Sequence, residues 1–123
     1  VRWARLLGDT LMKKQYYPTV AKSALFKQGY IASKSSHTRG STVDLTLLDL
    51  RTGKELNMGS PYDFFGIQSH PDYEKITKKE QENRVLLRTV MLSSGFIPYE
   101  NEWWHFTLKN EPFPTSYFNF PVN

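Results

Sequence analysis

A chain of 123 residues with 39% hydrophobic and 15% aromatic content fits one domain with room for a buried core. It has no cysteine, which excludes disulfides, thiolate zinc sites and cysteine nucleophiles; any metal must be held by His, Asp or Glu. The net charge of +4 is scattered singly or in pairs such as Lys13-Lys14 and Lys78-Lys79, unlike the one-sided concentration of a nucleic-acid reader. No apolar run is long enough to insert across a bilayer.

The chain opens on "VRWARLLGDTLMKK", where Trp3, Leu6, Leu7 and Leu11 recur at helical spacing, without the long apolar block of a signal peptide. "YYPT" stops that pattern. "VAKSALFKQGY" predicts a short helix with Gly29 at its C-terminal end. "TVDLTLLDL" predicts a strand, with Val43, Leu45 and Leu47 on its apolar face and Asp44, Thr46 and Leu48 on the other. A turn at Thr52-Gly53 follows. Residues 57–76 read as a long loop, and a loop of that length in a compact domain is more often functional than idle.

Thr77 with Glu80 forms a capping box, which predicts a helix from about Lys78 to Ser93 with Val85, Leu86, Val90 and Met91 as its buried stripe. Gly95 ends this helix, and Pro98 forbids its continuation. "WWHFTL" predicts a second central strand. The tail "EPFPTSYFNFPVN", rich in proline and rings, predicts an extended strap over the body.

Chemistry concentrates in two places. "SKSSHTRGSTVDLTL" sets His37 and Asp44 on either side of a turn at Gly40, and "ENEWWHFTL" sets Glu102 three residues before His105. If both strands pair in one sheet, Asp44 and His105 share a face and the turn folds His37 over them. Residues three apart in a regular strand point to opposite faces, so Glu102 reaches the His105 pocket only through a bulge or a late strand start. Two imidazoles and a carboxylate are a set used for catalytic zinc with an open fourth position, and a nearby free carboxylate can act as base. By themselves, such residues are more often a turn histidine, a strand-end aspartate and a core histidine. His70, in "QSHPDY", reads as an ordinary loop histidine. Trp103 and Trp104 read as core, and Arg39 reads as half of an ion pair across the turn.

"SSHTRGSTVDLTL" followed by "EWWHF" resembles the VanX-type D-alanyl-D-alanine dipeptidases, a branch of the zinc D,D-peptidases. The resemblance runs on through "YYP", "GYIASKSSH", "MGSPYDF", "NRVLLRTVMLSSGF" and the tail, and so covers most of the chain. It implies an α+β fold of the zinc D,D-peptidase/hedgehog-like kind, in which a small antiparallel sheet carries the ligands and packs against helices. It implies Zn2+ held by His37, Asp44 and His105, Glu102 as general base, Asp63 beside the substrate's amino group and Ser35 as a substrate-binding residue. The implied reaction is hydrolysis of the D-alanyl-D-alanine dipeptide in cell-wall precursor metabolism, including glycopeptide (vancomycin) resistance. The implied place is the bacterial cytoplasm, with the periplasm as the alternative.

The family also carries an upstream arginine, in a context like "DGYRP", that stabilises the oxyanion. These 123 residues do not contain it, and Arg2 and Arg5 are not substitutes for it. Losing one such donor typically costs about 100- to 1,000-fold in turnover. The expectation is therefore a single catalytic domain, residues 1–123, without that N-terminal segment of the family, or with the segment supplied by a second chain. Rival readings are a murein D,D- or L,D-peptidase acting on longer peptides and a catalytically impaired metal-binding remnant.

Overall fold

The computed structural model describes residues 12–32 and 34–121. The amphipathic stretch expected at 3–11 lies outside them. Two one-turn helices come first, α1 (Lys13–Tyr16) and α2 (Ala24–Lys27), followed by a 3-10 turn at Ser36–Arg39 and strand β1 (Thr42–Asp44). A second 3-10 turn (Ile67–Ser69) lies within the long loop, ahead of α3 (Lys78–Ser93), β2 (Phe96–Tyr99) and β3 (Glu102–Leu108). The three strands form one antiparallel sheet in the order β1-β3-β2, and α3 packs on it, as the α+β expectation requires.

The central strand supplies much of the core. Trp103, Trp104 and Phe106 are all but fully buried and cluster with Tyr17, Leu25, Phe65, Leu87 and Met91. β2 was not expected from the sequence, because Pro98 reads as a breaker. It sits on a sheet edge, where a missing N–H removes no ladder bond. β1 is shorter than expected. Regular pairing stops at Asp44, although Leu45 N still donates to Trp104 O at 3.1 Å. The apolar face expected there is not uniformly inward either: Leu45 and Leu47 pack on the core, but Val43 on this edge strand is exposed. The turn at Thr52-Gly53 closes as expected, with Asp49 and Leu48 facing Lys54 and Glu55.

The α3 boundaries and capping box match the sequence: Glu80 N donates to Thr77 Oγ1 at 3.2 Å, and Thr77 N donates to Glu80 Oε2 at 2.7 Å. Its buried face differs from the expected stripe. Val85, Leu86 and Val90 are about half exposed, and only Met91 of that set is buried. The inward positions are Asn83, Arg84, Leu87 and Met91. Arg84 is 3% exposed and donates through Nε, Nη1 and Nη2 to the carbonyls of Met58, His70 and Gln68 at 2.5, 2.7 and 2.6 Å. Asn83 donates to Asn57 O at 2.9 Å. The helix therefore turns a polar face inward because its work there is to fasten the loop around residues 57–70.

The tail is an extended segment, as expected, but covers little of the body. Phe113 and Phe120 are exposed, and its ties reach back to the turn that carries His37.

Candidate metal centre

Sheet register places two of the expected ligands together. Asp44 and His105 are direct cross-strand partners of β1 and β3, so their side chains share one face. His37 arrives from the 3-10 turn, which ends at Gly40 with φ +83, a left-handed conformation that costs glycine nothing. His37 Nδ1 lies 3.1 Å from Thr42 O. A carbonyl only accepts, so Nδ1 donates there, and Nε2 is the nitrogen turned toward Asp44 Oδ2, 3.3 Å away.

The demand on the Glu102 backbone is met. Pairing between β2 and β3 slips between Pro98 and Tyr99, so that Tyr99 faces Glu102 although Pro98 faces Phe106. The irregularity brings Glu102 Oε2 to 3.4 Å from His105 Nδ1, which also lies 3.1 Å from Asp44 Oδ1. The last contact lies outside hydrogen-bond geometry, leaving Asp44 Oδ1 buried without a donor. His37, Asp44 and His105 present ligand atoms that all lie within 4.8 Å of one another.

All six residues expected at the site line one cavity of about 440 Å³: Ser35, His37, Asp44, Asp63, Glu102 and His105. Asp63 adopts φ 60, the sole positive φ outside glycine among the described residues. Aspartate tolerates that conformation better than most residues, and here it is part of how the loop presents the carboxylate to the cavity.

His70 stays out of the cavity lining; its Nε2 meets Tyr30 OH at 3.0 Å. Arg39 is ion-paired as expected, but to Glu111 of the tail rather than across its own turn. Sequence reasoning missed Lys34 and Tyr99. Lys34 lines the cavity with its Nζ 5.3 Å from the Tyr117 ring and makes no ion pair among the described residues. The Tyr99 ring lies 5.1 Å from His105, and its hydroxyl donates to Gly29 O at 2.6 Å. Gly29 adopts φ +79, and a Cβ there would also meet that hydroxyl at 2.6 Å, so the position favours glycine. Neither residue type at these positions signals a site; only the fold brings them there.

Electrostatically the cavity is crowded with acids. Burial raises the Asp63 pKa to about 6, aided by the charges of Glu102 and Asp44. Burial likewise raises Glu102 against the pull of His105. For Asp44 burial pushes upward, yet His105 and His37 outweigh it and the carboxyl is held below its usual range. His105 is opposed by burial but lifted to about 9 by Asp44 and Glu102. The two carboxylates favour the charged form of His105.

The same features fit a metal. Two imidazoles and one carboxylate converge, one imidazole has its tautomer set by a backbone carbonyl, and a buried oxygen lacks a donor. A divalent cation would replace the proton on His105.

Comparison with known proteins agrees with the geometry. The peptidase M15 family, described as D-ala-D-ala dipeptidase, matches residues 2–123. The chain is 49% identical over 123 residues to a D-alanyl-D-alanine dipeptidase of Enterococcus faecalis, covering 100% of this chain and 61% of that protein. It is 47% identical over 122 residues to one of Enterococcus faecium and 43% over 122 residues to one of Streptomyces coelicolor, covering 99% of this chain and 60% of each relative. The chain thus spans about three-fifths of the length of these relatives.

Proposed function

This chain belongs to the peptidase M15 family of D-ala-D-ala dipeptidases, and from that premise we propose that it forms the catalytic part of a zinc peptidase that hydrolyses D-alanyl-D-alanine. The observation that carries the reading is the convergence of His37, Asp44 and His105 on one point, with Glu102 beside them. His37, Asp44 and His105 would hold the zinc. When bound, the ion supplies Lewis acidity for the attacking water and the scissile carbonyl.

The chain's own groups do the rest. Glu102, buried and raised in pKa, takes a proton from the attacking water and passes it to the departing amine. Asp63 offers a carboxylate to the ammonium of a free dipeptide. Lys34, whose ammonium faces the Tyr117 ring and makes no ion pair among the described residues, offers a partner for the carboxylate at the other end. Ser35 adds a hydroxyl on the same wall. A cavity with both signs of charge suits a zwitterion with a short span between its ends.

The place of this reaction is the removal of a D,D-dipeptide before it enters cell-wall precursors, in the bacterial cytoplasm, where it would oppose glycopeptide action. The test is a hydrolysis assay on the complete expressed polypeptide with D-Ala-D-Ala, before and after chelation. Turnover that stops with the chelator and returns with zinc supports the reading. Faster cleavage of longer muropeptides, or zinc bound with no cleavage at all, overturns it.

A further inference from the structure

His37 differs from the other two ligand residues in what holds it. Asp44 and His105 face each other across paired strands, where the ladder fixes both directions. His37 stands on a four-residue turn outside the sheet. The hydrogen bonds within that turn are local: Thr38 N and Thr38 Oγ1 to Ser35 O, and Gly40 N to His37 O.

Among the described residues, the hydrogen bonds that reach the turn from distant chain come from the tail. Phe118 N donates to Thr38 O at 2.8 Å, one residue beyond His37. Arg39 Nε donates to Glu111 Oε1 at 3.0 Å, with the two side chains only 16% and 13% exposed. The Tyr117 ring faces the Lys34 ammonium at 5.3 Å and the Arg39 guanidinium at 5.7 Å. The tail therefore grips positions 34, 38 and 39, on both sides of His37, while neither Glu111 nor Tyr117 lines the cavity.

Resting on the zinc reading above, we infer that residues 111–118 clamp the His37 turn, with Glu111 and Tyr117 as positioning residues for the metal site. An imidazole on a free turn must be ordered when the ion binds. One already clamped is not, so the clamp acts on metal affinity. Partners that orient a ligand typically change metal affinity by about 10- to 100-fold when removed, and this clamp, one step further out, belongs near the lower end.

The experiment uses the whole chain stripped of metal. Zinc affinity is read by competition with a chromophoric chelator, alongside the melting temperature of the metal-free protein. Glu111→Gln and Tyr117→Leu are each expected to weaken zinc about 10-fold with the metal-free melting temperature unchanged. Tyr117→Phe, which keeps the ring and gives up only the long 3.5 Å hydrogen bond from Arg39 Nη1 to the hydroxyl, is expected to keep most of the parent's affinity. Unchanged affinity in the first two variants overturns the inference. So does a loss that follows a fall in the metal-free melting temperature and is shared by Tyr117→Phe, since that marks ordinary packing. A parent chain that binds no zinc sinks the proposed function itself, a result distinct from a parent that binds while its variants match it.

Discussion

Among the described residues, the buried polar groups around Arg84 and those around His105 are finished differently. Around Arg84, a guanidinium with no ion pair among the described residues gives its hydrogen bonds to three loop carbonyls, and Asn83 beside it is satisfied in the same way. Around His105, two carboxylates crowd one ring, Asp44 Oδ1 has no donor, and the acids Glu102 and Asp63 are both raised in pKa. The first cluster is closed and holds a loop in place. The second brings acids and imidazoles onto one point, the donor set that suits a cation and a polar substrate.

That contrast can be broken at either end. In the His105 cluster, Glu102→Gln is expected to retain zinc while turnover falls by roughly 100- to 10,000-fold, the usual range for losing a general acid–base group. Metal content measured beside kcat checks it. In the closed cluster, Arg84→Met strands three carbonyls and is expected to cost at least about 3 kcal/mol of stability, read by urea denaturation. Arg84→Lys should recover only part of this, because an ammonium cannot match the geometry of the fork.

Two smaller effects sharpen the reading of the His105 cluster. Lys34→Met is expected to raise KM for the dipeptide by roughly 5-fold with kcat nearly unchanged, as fits one exposed charge contact. Initial-rate kinetics with a substrate amidated at its C-terminus should show the parent losing the same factor. Asp63 gives a pH signature. Its carboxyl, raised from 3.8 to about 6 in the fold, binds more protons in the native state than in the unfolded state between those values. Stability of the metal-free protein should therefore decline as pH rises from about 4 to 6, and Asp63→Asn should flatten that decline. In the zinc-loaded protein the cation adds attraction for the charged form. KM should accordingly climb with acidification only at or below pH 6, as the carboxylate that faces the ammonium is neutralised.

What the sequence revealed was mostly local. The Thr77–Glu80 capping box needs only its own four residues, and the α3 limits followed from it. The pairing of Asp44 with His105 was legible because two alternating strands in one sheet make a register match natural, and the resemblance of the motifs made the ligand set specific. The inward face of α3 was not legible. Its anchors are polar, and their partners are carbonyls 14 to 26 residues earlier in the chain, so the apolar periodicity pointed to the wrong side. β2 was hidden because Pro98 breaks a central strand but not an edge. Lys34 and the tail clamp were hidden for a related reason: a lone lysine and a proline-rich end acquire meaning only once the chain folds back on the His37 turn.

The account stands on one cation held jointly by His37, Asp44 and His105. X-ray absorption at the zinc edge of the loaded protein tests that most directly. It should show one ion per chain with nitrogen and oxygen neighbours at about 2.0–2.1 Å and outer scattering from two imidazole rings, one ring being lost in His105→Ala. A shell with fewer than two imidazoles in the parent, or one unchanged by that substitution, would contradict it.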